Sequence, residues 1–288
     1  MSSDEMAIEA LGGSPAGAAL EVSPRRGVRR RLGRWVVAIL WELIPPLVAL
    51  GLLVGGWWAY VEIDDTPDYI APSPDQVWDE LVDRPDFYVD HAWFTLKNAL
   101  AGLAIGATVA LVLATAMAHS RLIEKGLFPV AIIVKVTPIV AIAPLFTIWW
   151  GFGVEPKIAV AALISFFPIL VNAIVGFRSV EPAALDFMRS INASRFEVFS
   201  KLRLPSSLPY LIAAMRVSVP LSIIGAVVAE WFGAAEGLGR LVQVANANLD
   251  LPTLFAAIVV LALMGIALNL LLSIADRLLL GWHASSRT

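Results

Sequence analysis

The chain has 288 residues, of which 58% are hydrophobic and only 16% charged, whereas a soluble domain is about 45–50% apolar and about 25% charged. That apolar surplus cannot be buried within one globule of this length, and the same figures exclude disordered, collagen-like and coiled-coil chains. The absence of cysteine excludes a disulfide framework, an iron–sulfur cluster and a thiol nucleophile, and the net charge of −3 gains meaning only from where the charges fall.

Residues 1–24 are small, acidic and Gly/Pro-containing, and a run of six arginines from Arg25 to Arg34 follows. This pattern predicts a disordered basic tail over 1–34. About 20 mostly apolar residues cross a bilayer, and six stretches reach that length: 35–60, 92–118, 126–150, 158–177, 208–232 and 254–274. Each must be helical, since lipid offers no partner to an open backbone group. The expected fold is therefore an all-α integral membrane protein of six transmembrane helices. The first stretch is too long for a signal-peptide core and is followed by acids rather than a small-residue cleavage site, so it reads as a retained helix.

Between the first two spans, residues 61–90 hold ten acids against Arg84 alone. After the turn at Pro72–Pro74 a short helix is predicted, with Val77, Trp78 and Leu81 on one face. Two readings fit this segment: a solvated cap on the interface, or a docking surface for an outside partner. The chain thus divides into the tail, a first helix with its acidic segment over 35–90, and a five-helix core over 91–282.

Sidedness follows from Lys and Arg. Fifteen lie before span 1, between spans 2 and 3, between spans 4 and 5 and in the C-terminal tail, while the opposite side carries only Arg84, Lys157 and Arg240. By the positive-inside rule the first side is cytoplasmic, and both termini with it.

Ionisable and polar residues within spans are the default functional candidates. Lys97 and Arg216 lie near span ends, within snorkelling reach, and Glu42 is placed to pair with the arginine run. Lys135 is about 14 Å deep at 1.5 Å per residue, just before Thr137-Pro138; it either contacts an anionic solute or pairs with backbone or with a neighbouring helix. Glu230, at the outer end of span 5, reads equally as interfacial or as part of an external gate. Asn172, Ser218, Ser222 and Asn269 either line a path or hold helices together. Prolines at 45, 46, 138, 144, 168 and 220 are expected to kink their spans.

The connection between spans 4 and 5, residues 178–207, far exceeds the usual 2–8 residues and has internal structure. Asn192 can end one helix in left-handed geometry. Ser194 with Glu197 forms a capping box that opens a second helix, on which Phe196, Phe199 and Leu202 make an apolar stripe flanked by Arg195, Lys201 and Arg203. Leu204-Pro205 is expected to stop that helix before span 5 restarts. Two turns are not stable alone in water; the stripe packs either on this chain's own helix ends or in a groove of a cytoplasmic partner. No lysine follows a glycine, so the Walker A phosphate cradle is absent, and His91, His119 and His283 are too far apart in sequence for a zinc motif. No catalytic site, metal or cofactor is expected, and no nucleic-acid partner.

This loop resembles the E-A-A-x₃-G-x₉-I-x-L-P signature of bacterial ABC-importer permeases. Asp186, Phe187 and Met188 take the E-A-A places, Asn192 the glycine, Leu202 the isoleucine, and Leu204-Pro205 the L-P. Tyr69–Trp78, Thr95–Gly106, Thr137-Pro138 with Pro144-Leu145, Trp150–Gly153, and Ala229–Gly233 followed by Gly237–Gly239 are similar to the nitrate/sulfonate/taurine branch, over about residues 69–280. The resemblance implies a type I importer in the bacterial plasma membrane: two permease subunits (a homodimer is expected), two cytoplasmic ATPases and an external solute-binding protein. It implies a coupling helix built on Ser194–Arg203 and seated in the ATPase. It leans toward a small anionic cargo such as a sulfonate or nitrate, although thiamine-precursor-like cargo is known in the branch. An ion-coupled secondary transporter and a non-transporting membrane scaffold are the alternatives.

Overall fold

The computed structural model describes residues 28–63, 67 and 70–280. The tail expected before Val28, the side chain of Glu42 and His283 lie outside the described residues. The chain divides at Gly56 into residues 1–56 and 57–288. In the first unit, helix α1 (Val28–Ile63) begins before the expected Trp35, so the last arginines of the basic run are helical, and it continues through Pro45 and Pro46.

The second unit takes in the end of α1 and ten further helices: α2 (Pro74–Asp83), α3 (Pro85–His119), α4 (Arg121–Val136), α5 (Ile139–Trp150), α6 (Glu155–Arg178), α7 (Pro182–Ser190), α8 (Arg195–Val198), α9 (Leu204–Glu230), α10 (Leu238–Ala247) and α11 (Leu251–Leu280). A five-residue π-helical turn, Phe199–Arg203, joins α8 to α9. Among the described residues five helices are long and apolar enough to span a membrane, and α4 with α5 makes a sixth when taken as one broken span.

The centre is a three-helix seam of α3, α6 and α9. Small residues let these backbones touch, which substitutes for the hydrophobic drive that lipid does not provide. A Cβ on Gly102 of α3 would lie 2.5 Å from the Ala161 Cβ, and one on Gly225 of α9 would lie 2.8 Å from the Ala161 Cα, so both neighbours close on one alanine of α6. Toward the basic end of the bundle the seam widens into a core of Leu103, Met117, Ile169, Leu170, Phe177 and Val219. At the other end Val77, Tyr88, Leu238, Leu241, Ala256 and Ala257 form a second core.

Span 3 carries the kink expected at Pro138, sharpened into a break. It is bent by 97° between α4 and α5. Pro138 has no N–H, and its ring keeps the preceding residue out of helical geometry; Thr137 accordingly sits at φ −72°, ψ 126°. Its amide and hydroxyl both bond the Ile133 carbonyl, closing α4. Pro144, Pro168 and Pro220 lie inside helices that continue past them.

The acidic segment does form its short helix, capped by a reciprocal Ser73–Gln76 box. Val77 is buried and Leu81 half-buried, but Trp78 is 67% exposed, because the i, i+4 pair faces the core and the intervening residue turns about 100° away. Glu80 ties α2 down: it accepts from Tyr88 Oη (2.9 Å) and Thr253 Oγ1 (3.1 Å) and pairs with Arg84.

Candidate functional site

The 178–207 connection is a hook with a fixed root and a free tip. At the end of α7, Asn192 adopts φ +54°. The Asn192 amide bonds the Arg189 carbonyl (3.0 Å) and the Ala193 amide the Met188 carbonyl (3.0 Å), the two bonds of a Schellman closure. Asparagine tolerates this geometry better than any other residue with a side chain, aspartate apart. Two residues on, the Ser194 hydroxyl accepts from the Glu197 amide (3.2 Å) while Glu197 Oε2 accepts from the Ser194 amide (3.0 Å), the capping box read from the sequence. Ion pairs Asp186–Arg189 (2.9 Å) and Glu197–Lys201 (3.1 Å) brace the two flanks.

The apolar stripe, expected as one face, is split. Phe196 is 77% exposed, whereas the Phe199 ring lies 5.2 Å from that of Phe177 and 5.6 Å from that of His119, packed on the core. Leu202 is half-buried. Phe196 lies one turn out toward the tip, while Phe199 stands against the bundle, where α8 gives way to the wider π turn. The same turn overturns the expected stop at Leu204-Pro205. Widening to a bond from the Leu204 amide to the Phe199 carbonyl lets the helix pass the proline, so 195–230 runs as one helix. Phe187 and Ile191 are also exposed, so with Phe196 the tip presents three large apolar side chains.

The root is clamped to the end of α3. Arg203 Nη1 donates to the Ala118 carbonyl (3.3 Å) and Arg178 Nη2 to that of Met117 (3.3 Å), satisfying orphan carbonyls of a helix C-terminus. Arg178 also makes two 2.7 Å bonds to Glu124.

At the opposite end Glu230 is fully buried and is neither interfacial nor free. Its Oε2 accepts from the Gly239 amide (2.7 Å) and the Thr95 hydroxyl (3.1 Å). The Leu238 amide bonds Thr95 Oγ1 (2.8 Å), and the Gly237 amide bonds His91 Nδ1 (2.9 Å). Three consecutive amides opening α10 are thus held by side chains from α3 and α9, with a carboxylate at the positive end of the helix. Gly237 has φ +112°, and a Cβ there would lie 2.4 Å from the Glu230 carboxyl carbon, so only glycine fits. Nearby, Lys157 is completely buried and donates to the Phe152 (3.1 Å) and Gly233 (3.2 Å) carbonyls. Thr95, His91 and Lys157 do not stand out in the sequence, because every one of these pairings except Lys157–Phe152 joins residues more than seventy positions apart; the glycines at 237 and 239 were the available signal.

The remaining path candidates are dispersed. Lys135 is exposed, with Nζ 4.7 Å from the Phe167 ring centroid, a cation–π contact between α4 and α6. Thr137 is spent on closing α4. Ser218 and Ser222 are fully buried, Ser218 donating to the Ser165 carbonyl across the α6–α9 seam (3.1 Å), which ties two helices, and Ser222 to the Val219 carbonyl of its own helix (2.8 Å). Asn172 Nδ2 donates to the Pro168 carbonyl one turn back in its own helix (2.8 Å). Arg216 pairs with Asp276 of α11, and Lys97 Nζ stands 5.7 Å from the Trp93 ring centroid. Among the described residues no group of three His, Asp or Glu could hold a metal.

Residues 102–280 match the family described as binding-protein-dependent transport system inner membrane component. A probable ABC transporter permease of Haemophilus influenzae is 35% identical over 79% of this chain and 93% of its own length. The riboflavin transport permease RibX of Chloroflexus aurantiacus is 35% identical over 85% of this chain and 92% of its own. The taurine transport permease TauC of Escherichia coli is 28% identical over 88% of this chain and 94% of its own. In fold, the chain is similar to a subunit of the inward-facing MetNI methionine ABC transporter, with a TM-score of 0.59 at 16% identity over 68% of this chain and 96% of that one.

Proposed function

The chain belongs to the binding-protein-dependent transport inner membrane component family, and from that premise we propose that it is the permease subunit of an ATP-driven importer of the bacterial plasma membrane, both termini cytoplasmic. It pairs with a second permease subunit, a copy of itself, takes solute from an external binding protein and is driven by cytoplasmic ATPases. The observation that carries this reading is the hook: a motif-bearing helix whose root is bolted to α3 and the core while Phe187, Ile191 and Phe196 are left exposed. Large apolar groups on a short, rigid, capped element fit helix-in-groove docking. Because α8, the π turn and α9 are one continuous helix, a push on the tip acts directly on a membrane span. Asp186, Asn192, Ser194, Arg195, Glu197, Leu204 and Pro205 shape and orient that tip. In this reading nucleotide hydrolysis belongs to the partner ATPases, consistent with a chain in which no lysine follows a glycine.

For the cargo, Lys135 supports a small anion such as a sulfonate or nitrate. A second reading comes from the order of similarity: RibX and the formylaminopyrimidine permease ThiX of Halalkalibacterium halodurans are 35% and 32% identical, against 27% for the sulfonate permease SsuC of Bacillus subtilis. That order favours a flat heteroaromatic solute. The test is uptake into vesicles holding the full complex, with ATP inside and with sulfonates, nitrate and pyrimidines as competitors. Uptake that needs ATP and survives collapse of the ion gradient supports the importer; uptake that needs only the gradient overturns it. Sulfonate competition lost in Lys135→Met supports the anion, and pyrimidine competition indifferent to that substitution supports the heteroaromatic.

A further inference from the structure

The corner where α3 meets α4 forms an open concavity of about 620 Å³ lined by Ala118, His119, Arg121, Glu124, Lys125, Arg178 and Arg203. Four permanent cations there face one carboxylate, and that carboxylate is already engaged by Arg178. Arg203 donates to a backbone carbonyl, and among the described residues no carboxylate lies within ion-pair distance of Arg121, Lys125 or Arg203. Arg121 stands at the first position of a sixteen-residue helix capped by Ser120. A cation there opposes the helix dipole, a local cost offset only by Glu124 one turn on, whose carboxylate Arg178 already engages. A positive-inside bias alone would be satisfied by cations on any exposed loop; here they converge on one concavity.

The cavity also has an apolar flank. Leu122, beside Arg121, is 82% exposed, and Ile123, Leu127 and Val130 continue the exposed apolar surface up α4. A ligand matching both parts carries a negative head no larger than a phosphodiester and greasy chains that run along a membrane helix. We propose that this cavity binds the headgroup of an anionic phospholipid, its phosphate between Arg121, Lys125 and Arg203 and its acyl chains on the outer face of α4. Headgroup pockets of this kind form between helices on the basic side of membrane proteins. Through Arg203 the bound lipid also touches the root of the hook, so it stiffens the joint between α3 and the 195–230 helix. The inference goes beyond the transport reading and needs only that the bundle sits in a bilayer.

The test uses the full chain in neutral detergent, with phosphatidylglycerol, phosphatidylcholine, glycerol phosphate and inorganic phosphate as probes and native mass spectrometry as the readout. Phosphatidylglycerol is retained in preference to phosphatidylcholine, and the double substitution Arg121→Gln with Lys125→Gln binds it about 30-fold more weakly. Arg121→Lys, which keeps the charge, stays near the parent, as does Arg240→Gln at the opposite end. Both substituted side chains are exposed, and an unchanged helical circular dichroism spectrum shows that the fold is intact. Equal retention of the lipid by the double variant overturns the proposal. So does displacement of the lipid by equimolar glycerol phosphate or inorganic phosphate, which marks a site for a soluble anion. A double variant that keeps the lipid and loses capture of the ATPase assigns the cavity to that partner and overturns it as well.

Discussion

Glu230 shows how a single side chain acquires a role that its position in the sequence does not disclose. Read along the chain it is one carboxylate at the end of a span; in the fold it closes the first turn of α10 against α3. A hydrogen bond to a charged group contributes about 1.5–3 kcal/mol. Glu230→Gln, keeping the shape and losing the charge, is expected to destabilise by about that amount, read as a lower thermal midpoint of the purified protein. Gly237→Ala strains the same corner through both backbone and contact and is expected to cost at least as much. Equal midpoints for the parent and both variants would remove the structural role assigned to this knot. Asn192 tests the reverse case, a residue whose role was legible because its backbone geometry follows from its chemistry. Asn192→Gly should preserve hook function, whereas Asn192→Val, β-branched at φ +54°, should not.

At the scale of elements, signals contained within a few residues place helix starts, whereas packing decides which prolines break a helix and how α10 is held. The capping box at Ser194 is contained within four residues and its helix starts where the box places it, and the helix expected after the turn at Pro72–Pro74 starts there, on a second box at Ser73 that the structure adds. Helix α10 went unread because its N-terminus is satisfied from α3 and α9 rather than by a neighbour in sequence. Proline gave two opposite outcomes: Pro138 breaks span 3, while Pro205 is absorbed by a π turn. The difference lies in whether the preceding turn can widen, which composition does not encode. Pro138→Ala restores an amide donor and frees Thr137, and the two arms are then expected to straighten. Spin labels at positions 127 and 148 should move apart by about 10 Å, and an unchanged distance would mean that packing rather than proline sets the bend. On the hook, Ser194→Ala should cost about 1 kcal/mol of local helix stability, seen as faster amide exchange over 195–198.

For the whole molecule, the division of the hook into root and tip gives the account its content. If a single apolar face had packed entirely on the bundle, the motif would be a structural strut. Instead Phe199 is held by Phe177 and the core, and Phe196 points away. Phe199→Ala is therefore expected to act on stability, lowering the thermal midpoint of the isolated chain, whereas Phe196→Ala leaves that midpoint unchanged and acts on the partner. The six spans, the basic side and the motif were legible because hydropathy, charge bias and spacing are properties of the chain itself; which face of the motif is free depends on where α3 and α6 end. The most direct measurement places a photoreactive side chain at position 196 in cells and identifies what it captures. The account predicts an adduct with a separate polypeptide carrying a Walker A loop, lost when the same group is placed at position 199. Capture of only this chain's own helices from position 196 would contradict it.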